Sequence, residues 1–166
     1  MDELDRQVSY WDAVATEKTF THPVDVVRLR HVMGRDSDIL DYGCGYGRTC
    51  AELTSLGYQH VTGVDMSRGM IARGHAQFPE LDLRTIAEPE LPFAAATFDL
   101  CILFAVLTCI PGNGGQRALV EDLYRVLRPG GTLYVSDYPI QEDGRNQARY
   151  HEFEREYGGF GIFRLP

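Results

Sequence analysis

The stretch Asp38-Ile-Leu-Asp-Tyr-Gly-Cys-Gly-Tyr-Gly-Arg48 limits what this chain can fold into more than any other. A short apolar run goes straight into glycines at alternate positions, and an amphipathic segment, Arg48 to Leu56, follows and ends at Gly57. That order predicts a strand, a tight loop, and a helix closed by a glycine cap. Glycine adopts positive φ without a Cβ penalty and lets the backbone approach a ligand closely. The first turn of the next helix offers free N–H groups to negative charge. Alone, such a loop is equally a tight turn, so its surroundings decide the reading.

The unit repeats downstream. His60-Val-Thr-Gly-Val-Asp65 predicts a second strand, and Ser67 caps a helix whose face carries Met70, Ile71 and Phe78 before Pro79 stops it. Leu83 to Ile86 predicts a third strand, and Glu88-Pro-Glu-Leu-Pro-Phe93 with Ala94 to Ala96 predicts an irregular connection. Phe98-Asp-Leu-Cys-Ile-Leu-Phe104 has the apolar continuity of a central strand buried on both faces. Leu119, Leu123, Val126 and Leu127 mark a helix, Arg128-Pro-Gly-Gly131 a turn, and Thr132 to Ser136 a fifth strand. Strands alternating with helices form βαβ units with right-handed crossovers. The expected fold is therefore α/β, a doubly wound, mainly parallel sheet.

Two helical segments precede this core. Leu4, Val8, Trp11 and Ala15 recur at helical spacing, as a lid lying on the domain would, and Thr21-His22-Pro23 predicts the start of a helix that carries Val26, Leu29 and Met33 and ends near Gly34. After the core, Gln141 to Tyr157 predicts a polar helix with Tyr150, Phe153 and Tyr157 on one face. The expected organisation is a helical lid over residues 1–35, the α/β core over 36–138, and a C-terminal helix with a truncated or unpaired end over 139–166. A chain of 166 residues has the size of one domain with one core.

Charge narrows the partners. With 16 Lys and Arg against 24 Asp and Glu, the net charge of −8 would repel a polyanion, so no nucleic acid is expected. Arg28, Arg30 and Arg35 near His31 predict a solvated helix face. The first residues, Met1 to Arg6, are charged and no long apolar run follows, so neither a secretory signal nor a membrane span is predicted and the cytoplasm is the expected location. Cys44, Cys50, Cys101 and Cys109 lack the paired spacing of a zinc site, which predicts structural thiols and no metal.

In a doubly wound sheet the ligand lies beyond the carboxyl ends of the strands, where strand order reverses. Gly43, Gly45 and Gly47 fall there, and Gly45 is expected to face ligand space. Asp65 ends the second strand, 18 residues past Gly47, where a carboxylate can accept both hydrogen bonds of a ribose diol, although alone it would read equally as a turn residue.

Ile39-Leu-Asp-Tyr-Gly-Cys-Gly-Tyr-Gly-Arg48 resembles motif I of class I S-adenosylmethionine (SAM)-dependent methyltransferases. Val61-Thr-Gly-Val-Asp-Met-Ser67 resembles that family's next motif. Leu91-Pro-Phe93 followed by Phe98-Asp-Leu100 resembles the segment leading into the fourth strand, and Val126-Leu-Arg-Pro-Gly-Gly-Thr-Leu133 the approach to the fifth. Four motifs in order across residues 36–138 are far more specific than one. The resemblance is to small-molecule methyltransferases of the ubiquinone-biosynthesis and aminosugar type. It implies a Rossmann-like core, SAM as cofactor with S-adenosylhomocysteine as product, and direct in-line methyl transfer to a small molecule. The closing antiparallel strand pair of that fold is expected to be missing from this chain.

The same resemblance assigns roles. Asp41 would organise the loop and meet the methionine amine directly or through water. Gly43, Cys44, Gly45 and Gly47 would carry the amino-acid moiety, with its carboxylate toward the helix N-terminus. Asp65 would bind the ribose and Met66 cover an adenine face. Here the sequence departs from the family: Ala87 takes the place of the usual acid and Glu88 follows it, so the adenine N6 contact falls to Glu88 or to main chain. Phe104 faces the methionine side or is a plain core residue. Tyr10 and Trp11 resemble the aromatic pair of family lids and equally resemble ordinary helix anchors.

SAM carries its own leaving group, so alignment supplies much of the rate and a base is optional. His22, Tyr138 and His151 are the candidates to orient or deprotonate an acceptor, with Thr108, Cys109 and Asp137 on the same rim. His22 serves either as a helix cap or as a contact, and Cys109, with no basic neighbour in sequence, reads as packing. A SAM-binding partner subunit without catalysis is the non-enzyme alternative. A nucleotide-dependent oxidoreductase is disfavoured because position 48 is Arg where its fingerprint has glycine. Homo-oligomerisation through the strand-five edge or the last helix is expected if the natural protein does not continue past Pro166.

Overall fold

The computed structural model describes residues 7–87, 90–110 and 112–157. Leu4, Glu88 and Gly158 to Pro166 lie outside the described residues. The described chain runs α1 (Val8–Ala13), α2 (Val26–Val32), β1 (Asp38–Tyr42), α3 (Arg48–Ser55), β2 (His60–Asp65), α4 (Arg68–Gln77), β3 (Asp82–Thr85), β4 (Phe98–Phe104), α5 (Asn113–Val126), β5 (Leu127–Ser136) and α6 (Gly144–Tyr157). All strand pairings are parallel, and the order across the sheet is β3-β2-β1-β4-β5. The chain steps outward from β1 to β3, then crosses to β4 on β1's other side. That reversal opens a crevice beyond the carboxyl ends of β1 and β4.

The period-two alternation of side chains sorts the core into two layers. Ile39, Leu100 and Ile102 pack with Cys50 and Leu53 of α3, Ile71 of α4 and Leu29 of α2. Leu40, Tyr42, Cys101 and Leu103 pack on the other face with Leu119, Leu123 and Val126 of α5. Leu100 to Leu103 have no solvent exposure, as a central strand requires. β1, β2 and β4 occupy the residues the sequence predicts, and β3 begins one residue earlier.

Three boundaries differ by three residues or more. α2 does not begin at His22-Pro23: the Asp25 carboxylate accepts from the Arg28 N–H at 3.0 Å and caps a helix starting at Val26, because an acceptor at the cap satisfies an amide that a Pro23 start would leave exposed. β5 begins at Leu127, so Arg128 to Gly131 is strand and not turn. The pairing slips between Phe98↔Leu127 and Leu100↔Thr132, and this bulge absorbs Pro129 and Gly130 (φ +83°). Proline is tolerated there because β5 is an edge strand among the described residues. Arg128 pins the bulge by pairing with Asp38 and Asp99, each at 2.8 Å. α6 starts at Gly144 and not Gln141, with the Asp143 carboxylate accepting from the Asn146 N–H at 3.1 Å. Tyr150 is buried and its hydroxyl accepts from the Gln141 N–H at 3.1 Å.

Ile102 and Leu103 lie back to back on β4, one in each layer. Ile102→Ala and Leu103→Ala should each cost about 2–5 kcal/mol in urea unfolding, because each leaves a cavity in a layer with no room to relax. A single transition with an unchanged m-value in both variants would show that both layers belong to one cooperative core.

Candidate cofactor crevice

The glycine loop between β1 and α3 is held open by its backbone. Gly43, Gly45 and Gly47 take φ of +71°, +56° and +82°. The Gly43 and Cys44 N–H groups both donate to the Val64 carbonyl, at 2.8 and 3.0 Å, which ties the loop to the end of β2. Asp65, half-buried at that end, accepts from the Gly45 N–H through Oδ2 and from the Ser67 N–H through Oδ1, both at 2.8 Å. One carboxylate thus spans the loop and the start of α4. Two of its lone-pair directions remain for a diol.

Asp41 lies beneath the loop at 2% exposure, with the Cys50 thiol donating to its Oδ2 at 3.5 Å. Burial pushes its carboxyl up to about 7, the Cys50 thiol opposes that, and the neighbouring Asp65 charge adds to it. Burial likewise raises Asp65, against the pull of its two amide donors. Two carboxylates raised in this way are stabilised by a cation, and an amine or a sulfonium supplies one. Tyr42 adds a third feature: its hydroxyl is buried without a hydrogen-bond partner, in the layer that also packs Met66 and Val106. Sequence patterning gave no sign of it, since it reads as one more apolar strand position. These groups fit SAM, with carboxylates for its cation and diol and an unused buried hydroxyl nearby.

The N-terminal segment is clamped over the loop. Asp12 Oδ1 accepts from the Ser67 hydroxyl at 2.6 Å and from the Gly69 N–H at 2.9 Å. The Arg73 guanidinium donates to the Ala15 and Lys18 carbonyls at 2.9 and 2.7 Å while lying 3.9 Å over the Tyr46 ring. Phe20 stacks on Tyr46 at 5.5 Å, and a Cβ on Gly45 would come within 2.5 Å of its ring. Gly45 therefore faces the protein's own Phe20 and not only ligand space. Tyr10 meets Trp11 at 5.0 Å and Trp11 packs with Phe20 on the cluster around Tyr46, but the ring stacked on the loop is Phe20, which no spacing in the sequence marked. Val106 treats Gly43 similarly, with Cγ2 2.6 Å from a Cβ built there.

The remaining predicted residues divide into two groups. Met66 and Phe104 are half-buried at the carboxyl ends of β2 and β4, and Ala87 is exposed just beyond β3. Cys44 is buried under the loop, where its hydrogen bond with Cys50 and its burial hold the thiol well above the ordinary range. Cys109 is pushed up to about 12 by burial, which removes it as a nucleophile, and Asp137 accepts from the Thr108 N–H at 3.2 Å. His22 does not cap α2; its Nε2 lies 2.6 Å from Ser136 Oγ, and its ring is 5.7 Å from that of Tyr138. His151 lies instead on α6, 3.6 Å from Glu154.

Residues 40–135 match the family model described as a methyltransferase domain. An O-methyltransferase of Aspergillus nomiae is 29% identical over 87% of this chain and 69% of its own length. A probable S-adenosylmethionine-dependent methyltransferase of Mycolicibacterium smegmatis is 35% identical over 69% of this chain, which spans only 43% of that relative. A SAM-dependent methyltransferase of Methanosarcina mazei superposes with a TM-score of 0.81 at 24% identity, covering 87% of this chain and 72% of its own, and so shares the fold. The glycine loop, the carboxylate across it and the matching span leave the oxidoreductase reading without support. This chain belongs to the class I SAM-dependent methyltransferases.

Proposed function

We propose that the domain binds SAM in the crevice and aligns its methyl group for direct transfer to an oxygen of a small molecule. The observation that carries this reading is Asp65, a carboxylate that joins the glycine loop to the start of α4 and keeps two acceptor directions for a ribose. The name of the Aspergillus relative supports an oxygen acceptor. Gly43, Cys44 and Gly45 would cradle the amino-acid half, Asp41 would face its ammonium, and Met66 with the Tyr42 hydroxyl would meet the adenine. When bound, SAM supplies a sulfonium leaving group, so the protein need only align, desolvate and accept a proton. Phe20 and Trp11 shield the loop from water, held by Asp12 and Arg73. No helix of the described residues is long and apolar enough to cross a membrane. The free Cys44 and Cys50 thiols, hydrogen-bonded to each other, support a reducing, cytoplasmic location.

Titration calorimetry checks the cofactor. Asp65→Ala should weaken SAM and S-adenosylhomocysteine alike by about 1.5–3 kcal/mol for each charge-assisted bond lost, and unchanged affinity would remove Asp65 from the ribose. Asp41 sets a pH dependence of stability. Its carboxyl is raised in the folded state, so the native protein holds a proton that the unfolded chain releases, and this group's contribution to stability falls as pH rises from about 4 to 7. Asp41→Asn should flatten that fall in denaturant titrations of the ligand-free domain, whereas an unchanged pH profile would show that Asp41 is ionised in the apo fold.

A further inference from the structure

The carboxyl ends of β4 and β5 carry a cluster whose polar members the proposed cofactor contacts do not include. His22 Nε2 is 2.6 Å from the hydroxyl oxygen of Ser136, the last residue of β5. The Phe104 ring lies 5.3 Å from the imidazole and the Tyr138 ring 5.7 Å away and perpendicular to it. Tyr134 meets Phe104 edge-on at 4.8 Å. Tyr138 is 63% exposed, so the group opens to solvent. The backbone of His22 is fixed separately, because its carbonyl accepts from the guanidinium of Arg48, which also pairs with Glu52 at 3.1 Å. Arg48 directly follows the glycine loop, so this bond seats His22 beside the loop.

Strain at the same place points the same way. Ala105, immediately after Phe104, has φ of +53° without being glycine, and its N–H donates to the Ser136 carbonyl at 2.8 Å. Such conformations persist where the surroundings enforce them and gather at functional sites. Here the strained turn joins the end of β5 to the residue before Val106, which packs on Gly43. Ser136 and the loop are thereby set in register with each other.

We propose that Ser136 and His22 form a proton relay for a planar acceptor bearing an acidic hydroxyl, a phenol or an enol, held among Phe104, Tyr134 and Tyr138. The inference rests on the methyltransferase reading. A neutral imidazole has one nitrogen free to accept. The acceptor hydroxyl gives its proton to Ser136 Oγ while Ser136 passes its own to His22 Nε2. The acceptor oxygen then forms the new O–CH3 bond, and the S–CH3 bond breaks with its electron pair left on sulfur. The sulfonium becomes a neutral thioether and the positive charge ends on the imidazolium. An imidazole takes the proton of a phenol or enol in step with transfer at a smaller cost than that of an alkyl alcohol, whose hydroxyl is far less acidic. Aromatic rings in edge and face contact suit a flat acceptor. The groups facing the His22 imidazole are Ser136 and Tyr138 from β5 and its continuation and Phe104 from β4, while the Arg48 cation from α3 holds the His22 carbonyl.

The test uses the purified chain, a panel of simple phenols, and 4-nitrophenol, which is largely ionised at slightly alkaline pH. His22→Gln and Ser136→Ala should leave SAM affinity in calorimetry within twofold of wild type. With un-ionised phenols kcat should fall about 10²–10⁴-fold with KM little changed, and the residual rate should climb with pH. With 4-nitrophenolate His22→Gln should recover to within tenfold of wild type, since that acceptor needs no base. Nitrogen-15 spectra of the ligand-free protein should show His22 Nε2 as an acceptor, and Ser136→Ala should alter that resonance. Equal losses on both kinds of acceptor, no loss on either, a protonated Nε2, or no phenol turnover by a wild type that binds SAM would each overturn the relay. A wild type that binds no SAM would instead overturn the methyltransferase reading on which the relay rests.

Discussion

The carboxylate of Asp65 is the joint on which the crevice depends. It ends β2, accepts from the amide of the glycine loop after β1, and accepts from the amide that opens α4. Three separate elements thus converge on two oxygens. A buried carboxylate is costly to desolvate, and here two amide donors offset part of that cost. What remains is a negative site whose most effective partner is a cation arriving from outside. The same logic extends to Asp41 below, where burial, opposed by the Cys50 thiol and reinforced by the Asp65 charge, lifts the carboxyl to about 7.

The N-terminal segment, expected from the sequence as a lid, is built onto this joint and not beside it. Ser67 donates its hydroxyl to Asp12, accepts from the Met70 N–H at 3.1 Å to cap α4, and gives its own amide to Asp65. One small residue therefore couples the lid, the helix and the carboxylate. Arg73, one helical turn beyond Met70, repeats the coupling from lid carbonyls to the Tyr46 ring. The loop glycines serve the protein as well as the ligand, because Phe20 and Val106 occupy the space a Cβ would need. Substitutions there would disturb the lid and the β4 turn together.

Much of the architecture was legible in the residues. Hydrophobic continuity located β1, β2 and β4, the Ser67 cap located α4, and alternation of strand and helix implied the parallel sheet. The boundaries that shifted did so for contacts distant in sequence. Arg128 reads as a turn residue until Asp38 and Asp99 hold it in a strand, and His22 reads as a cap until Asp25 takes that role.

The sequence by itself determined the fold class, the glycine loop and its carboxylate, because these follow from local propensity and from periodicities that any core must satisfy. It also carried the family. Tertiary structure alone decided which side chains meet across the crevice: Phe20 on Gly45, Asp12 on Ser67, and His22 on Ser136, 114 residues apart. No local rule links such pairs, since each residue has an adequate explanation within its own segment. The crossing of the chain at β1 brings the ends of β4 and β5 back beside the loop and so sets Ser136 against His22, while the N-terminal segment folding over the loop sets Asp12 against Ser67 and Phe20 against Gly45.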